Sequence, residues 1–139
     1  MKAKLTKAIV AFMFAGYIFA VLYITLINRI VGEQRHMLDA PFWEYKNLIA
    51  GVDWQFYFWQ IIGNLAMLIP FGIMLPLLFK RMQSVVFVTF AGCMFSAFIE
   101  VTQFFTGRGL CEIDDVFNNT LGALIGYLIF RCYSKRVNA

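Results

Sequence analysis

Four apolar runs, at residues 8–28, 56–79, 84–105 and 116–130, leave this chain few ways to fold. A helix that crosses a bilayer needs roughly 20 predominantly apolar residues. The first three runs meet that length. The fourth reaches only about 24–27 Å even when residues 113–131 are counted, so its leading acids are expected at the interface or in a thinned, wet zone. With 61% hydrophobic and 14% charged residues and a mean hydropathy of +0.72, the chain is more apolar than a soluble domain of this size. The expected fold class is all-α: an integral membrane bundle of four transmembrane helices forming a single domain over residues 1–139.

Charge orients the runs. Lys2, Lys4, Lys7, Lys80, Arg81, Arg131, Lys135 and Arg136 fall on one side, and only Arg29, Arg35, Lys46 and Arg108 on the other. All the acids (Glu33, Asp39, Glu44, Asp53, Glu100, Glu112, Asp114, Asp115) lie on that second side or in its half of the bilayer. The positive-inside rule then gives both termini inside. The first run follows lysines, as a signal peptide would, but it is longer than an h-region of roughly 7–15 residues and lacks a small-residue cleavage motif. It reads as a retained helix. The basic residues sit at the ends of apolar runs and are not interleaved with aromatics, which argues against nucleic acid. Cys93, Cys111 and Cys132 are too scattered for a disulfide framework or a zinc site. His36, the lone histidine, reads as a solvated loop residue.

The outer loop, 31–55, is expected to hold a short interfacial helix capped by Asp39, with Phe42, Tyr45 and Ile49 on one face and Gly51 at its end. Trp43, Trp54, Tyr57 and Trp59 would form an aromatic belt at headgroup level. The second run is interrupted by Pro70, Gly72 and Pro76, which free backbone carbonyls. Gln60 and Asn64 share a face there, either as interhelical glue worth about 0.6 kcal/mol each or as pocket lining. Gly92 with Ser96, and Gly122 with Gly126, have the small-xxx-small spacing that lets backbones approach.

Glu100 lies inside the third run, about 7–8 Å below its edge. An acid at the centre of a membrane helix costs about 2.5–3.5 kcal/mol, so it marks a functional site facing the bundle interior. Ser96, Glu100 and Gln103 fall at i, i+4, i+7 on one helical face. Asp114 with Asn118, and Asp115 with Asn119, open the fourth run. The connection over 106–113 is short enough to make the two helices antiparallel neighbours. The expected ligand pocket is therefore Asn64, Glu100, Gln103, Arg108, Asp114, Asp115 and Asn119, with Arg108 pairing one of the acids. The carboxylates of Glu112, Asp114 and Asp115 would equally serve as helix-dipole partners worth about 0.3–1 kcal/mol each.

Over residues 47–130 the chain resembles the VanZ-like family of bacterial membrane proteins, named for a teicoplanin-resistance protein. The resemblance is carried by Asn47-Leu48-Ile49, by Gly63-Asn64 through Ile69-Pro70-Phe71-Gly72 to Leu75-Pro76-Leu77-Leu78, by Glu100 with Gln103, by Arg108, and by Glu112-Ile113-Asp114-Asp115 with Asn119-Thr120-Leu121-Gly122. Ala50 stands where the family usually has proline, and Glu112 where it usually has aspartate. The resemblance implies a multi-pass protein of the bacterial cell membrane associated with glycopeptide resistance, and no settled mechanism.

Together these readings favour a non-enzymatic envelope protein whose outer-leaflet acidic pocket binds a polar or cationic group on a lipid-linked cell-wall component or a glycopeptide antibiotic, among membrane lipids. No cofactor is demanded. A divalent cation on Glu112, Asp114 and Asp115 is compatible with oxygen ligands and would bridge to a phosphate that bare carboxylates repel. The alternative is a metal-assisted hydrolase or transferase on a lipid-linked substrate, with Glu100 as general base. A third class, an ion-coupled carrier, is disfavoured by four spans without an internal repeat. Oligomeric state is not legible.

Overall fold

In hydrocarbon a backbone must satisfy its own hydrogen bonds, and a chain with apolar runs this long does so by becoming helical. The structure, a computed structural model, describes residues 2–29, 37–38, 40–109 and 111–137. Helix α1 (Lys2–Leu22) continues into a π-helical turn (Tyr23–Ile27). The short α2 (Trp43–Ile49) precedes α3 (Trp54–Met67), α4 (Ile69–Leu78), α5 (Val85–Thr106) and α6 (Ile113–Val137). Two-residue strands β1 (Met37–Leu38) and β2 (Cys111–Glu112) pair in parallel, an element the runs did not announce. Among the described residues, three helices are long and apolar enough to cross a membrane: Lys4–Ile27, Trp54–Leu78 and Val85–Thr106. They cover the first three apolar runs.

The break between α3 and α4 falls at Leu68, two residues before Pro70. Pro70 has no N–H to offer the carbonyl of Ala66, and its ring crowds that carbonyl, so the helix restarts around it. Tyr17 of α1 donates its hydroxyl to the Met67 carbonyl at this break, at 2.6 Å.

Helix α6 extends past the expected run to Val137 and packs against α3, α4 and α5. It can lie that close because its interface residues are small. A Cβ on Gly122 would stand 2.1 Å from the Leu65 carbonyl oxygen, and one on Gly126 would stand 2.1 Å from that of Ile69. A Cβ on Gly72 would meet the Ala123 carbonyl oxygen at the same separation, and one on Gly92 would meet the Ala123 methyl at 2.5 Å. The spacing read as packing in the sequence is packing, and backbone meets backbone along α6. Around it Leu68, Phe71, Leu75, Val88, Ala123, Tyr127 and Phe130 form the apolar core, with Phe71 stacked on Phe95 at 5.5 Å.

Helix α2 ends where expected, with Gly51 in the left-handed region at φ 74°. Its start is held differently. Asp39, the expected cap, and His36 lie outside the described residues. The acceptor that the structure supplies is Asp114, whose two carboxylate oxygens take the backbone N–H groups of Phe42 and Glu44. A helix start leaves its first N–H groups unpaired, and a carboxylate satisfies them well. This cap arrives from about seventy residues downstream and folds the loop helix over the beginning of α6.

Candidate functional site

The beginning of α6 is where the polar side chains collect. Asp114, Asn118 and Asn119 are fully buried there, which costs free energy unless each finds partners. Asn118 donates to Glu44 of α2 at 3.1 Å and accepts from the Tyr45 hydroxyl. Asn119 donates to Ser96 of α5 at 2.8 Å. Asp115 accepts from the Asn64 amide of α3. The α5 face behaves as its periodicity predicts: Ser96, Glu100 and Gln103 are all buried. Glu100 accepts the backbone N–H of Glu112 at 2.9 Å, and so fixes β2. Gln103 donates to the Thr25 carbonyl in the π-helical turn at 3.0 Å.

Beside this network lies a cavity of about 750 Å³, within the range of small-molecule sites. Asn64, Gln103, Glu112 and Asp115 line it, with Gln60, Arg29 and the rings of Trp43, Phe56 and Trp59. Gln60 orients Glu112 by donating to it at 2.6 Å. Glu100 and Asn119 sit one layer behind the lining, and Asp114 is committed to α2. The aromatics expected as a belt divide: Trp54 and Trp59 are both exposed, Trp59 also borders the cavity, and Trp43 is half-buried in its wall, edge-on to Tyr57 at 5.3 Å.

Among the described residues, Arg108 does not pair with an acid. Its guanidinium donates to the Leu26 and Ile27 carbonyls at 3.1 and 3.4 Å. Carbonyls at a helix end have no intrahelical partner, and a cation there also favours the dipole. Arg29, on the other side of that turn, is the arginine at the cavity.

Three carboxylates converge. One oxygen each from Glu44, Glu112 and Asp115 lies within 4.8 Å of the others. Of the trio expected from sequence, Glu112 and Asp115 are here and Asp114 is not. Glu44 replaces it, delivered by the Asp114 cap and the Asn118 amide. Two bare charges at about 4 Å repel by about 4 kcal/mol even at an effective dielectric of about 20, so this group does not sit fully ionised and alone. Burial, then Asp115, Glu112 and Asp114, push the Glu44 carboxyl up to about 8. Burial and Asp114 also raise Glu112, opposed by the Gln60 amide and the Arg29 guanidinium.

Several buried atoms here have no hydrogen-bond partner among the described residues: Glu44 Oε1, Gln60 Oε1, Gln103 Oε1 and Trp43 Nε1, besides Asn119 Oδ1 behind them. Native interiors rarely leave such atoms unmet. Sequence reasoning missed Glu44, Trp43 and Arg29, because each is ordinary in a loop or at a helix end. The one available signal was that the acid of α2, Glu44, lies directly between two aromatics, Trp43 and Tyr45.

A profile of the VanZ/LLP1 family matches residues 14–134. The chain belongs to that family. It is also 31% identical over 81 residues to Protein VanZ of Enterococcus faecium, an alignment covering 58% of this chain and 50% of that protein. The chain thus spans about half the length of the curated relative it matches. No solved structure matches it. Of the VanZ-like motifs, Gly63-Asn64, Gln103 and Glu112 with Asp115 reach the cavity, while Asn119 and Glu100 support it from behind.

Proposed function

We propose that this VanZ/LLP1 protein is a multi-pass protein of the bacterial cell membrane whose acidic cavity binds a polar or cationic group on a lipid-linked cell-wall component or a glycopeptide antibiotic, contributing to glycopeptide resistance without catalysing a reaction. On this reading residues 1–139 act as a single membrane domain of four spans, α6 being the fourth, with both termini inside and α2 at the outer interface. The observation that carries it is the cavity itself: amides, carboxylates and aromatic walls open onto one space of about 750 Å³, the mixture that holds an amphipathic ligand. Family membership and the Enterococcus faecium relative support the resistance setting.

Two experiments test it. Asp115→Asn keeps an acceptor for Asn64 but removes the charge, and Glu100→Gln does the same for the Glu112 N–H. Both are expected to express and fold while abolishing the teicoplanin tolerance that the chain confers on a susceptible host. Full tolerance in both variants would sink the pocket reading. For topology, an impermeant thiol reagent applied to intact cells labels Asp53→Cys and leaves Lys135→Cys unlabelled; the reverse pattern inverts the arrangement.

A second reading, a metal-assisted hydrolase or transferase on a lipid-linked substrate, draws on the convergence of Glu44, Glu112 and Asp115. It predicts turnover of a lipid-linked phosphate ester by the purified chain, whereas the binding reading predicts retention of that lipid unchanged.

A further inference from the structure

The oxygens left without partners among the described residues point to what the cavity receives. Glu44 is 0% exposed and Gln103 3% exposed. Each has one oxygen with no hydrogen-bond partner, as does Gln60, whose amide is spent on Glu112. Gln103 is independent of the carboxylates: its amide nitrogen is tied to Thr25, and its carbonyl is the unmet end of a side chain that lines the cavity. Gln103 Oε1 and Gln60 Oε1, on side chains that line the cavity together with Glu112 and Asp115, are thus unmet acceptors. The unmet donor, Trp43 Nε1, and the exposed Arg29 line the same cavity. Unmet acceptors call for a positive occupant, and donors in the same cavity suit the anion that such an occupant would carry.

We propose that Glu44, Glu112 and Asp115 hold one oxygen-preferring divalent cation, with its open coordination positions turned into the cavity toward a phosphate-bearing ligand. Asp114 is excluded because both of its oxygens cap α2. Ca²⁺ binds oxygen at about 2.3–2.6 Å, so two of its ligands stand up to about 5 Å apart. The 4.8 Å limit on this trio falls inside that reach. Mg²⁺, at about 2.0–2.1 Å, requires ligands within about 4.2 Å and more retained water. Mg²⁺ is usually held by one or two carboxylates and keeps its waters, so three converging carboxylates favour Ca²⁺. Gln60 and Asn64 orient Glu112 and Asp115 from the second layer, as the supporting shell of a metal site does. The inference rests on the binding reading above, since it names what the cavity offers its ligand.

The test is a titration of the full chain, purified in detergent and stripped with EDTA, with CaCl₂ and separately MgCl₂, reading heat and bound metal per chain. The expected result is saturable binding of one Ca²⁺, with Mg²⁺ weaker. Affinity falls about tenfold or more in Glu44→Gln and Glu112→Gln, and Asp53→Asn, on the exposed turn before α3, binds as the parent does. Melting temperatures in EDTA establish that each variant is folded. If Glu44→Gln fails to fold, Glu112→Gln, which still accepts from Gln60, is decisive. No saturable binding to the parent chain, or unchanged binding in the folded carboxylate variants, overturns the proposal. Absent Ca²⁺ binding with tolerance still lost in Asp115→Asn removes the cation and leaves the pocket. Ca²⁺ binding with tolerance intact in that variant does the opposite.

Discussion

The two ends of α6 are packed by opposite rules. Toward its C-terminus, Ala123, Gly126, Tyr127 and Phe130 close against α4 and α5 with backbone-to-backbone approach. The Tyr127 hydroxyl, the polar group carried there, donates to the Gln83 carbonyl at 3.0 Å. Toward its N-terminus, Asp114, Asp115, Asn118 and Asn119 are held by partners on α2, α3 and α5, and a cavity with unmet acceptors remains beside them. In a bilayer, apolar packing and close backbone approach supply association between helices. An end that keeps carboxylates and orphaned oxygens instead gives up stability, and such costs gather at functional sites.

That contrast can be broken most forcefully at the tight end. Gly126→Val puts a side chain where the Ile69 carbonyl already stands, at 2.1 Å. Helix α6 would have to move away, at about 3 kcal/mol or more. The expected outcome is loss of the monodisperse peak in size-exclusion chromatography, and a normal profile would mean that the interface is looser than described.

At the polar end the same kind of change does less. Asp114→Ala removes the cap that ties α2 to α6, at about 0.5–2 kcal/mol. Hydrogen exchange is expected to accelerate over Trp43–Ile49 and to stay slow over Ile69–Leu78. Acceleration across both would show that the two ends are one cooperative unit.

The smallest stability effect is expected at Gln103. Gln103→Leu loses the bond to Thr25 but also removes a buried unmet oxygen, so the melting temperature shifts by the equivalent of about 1 kcal/mol or less. On the binding reading proposed above, tolerance to the glycopeptide is nevertheless expected to be lost. A large destabilisation would make Gln103 structural and blur the contrast.

Much of this was legible in the sequence for a physical reason. The apolar runs gave three long helices, and a polar residue surrounded by apolar ones stands out, which is how Asn64, Glu100, Gln103 and Asp115 were singled out. Glu44 and Trp43 were not, since an acid and a ring in a loop look like solvated surface and an interfacial anchor. Their burial depends on Asp114 and Asn118 reaching across some seventy residues, and helical periodicity carries no information at that distance. Arg108 was misjudged because its charge suggested an acid, whereas the π-helical turn of α1 presented two unpaired carbonyls closer at hand. Asp114 was assigned to the pocket for the same reason, its partners being backbone groups that no sequence pattern displays.

The most direct test of the claim that the polar end is a ligand site is native mass spectrometry of the detergent-extracted chain, with and without added teicoplanin, comparing the parent with Asp115→Asn. The account predicts that the parent retains a polar-headgroup lipid or the glycopeptide at collision energies that strip bulk lipid, and that Asp115→Asn, folded and equally monodisperse, does not. Identical spectra for the two, or a bare parent chain under both conditions, would contradict it.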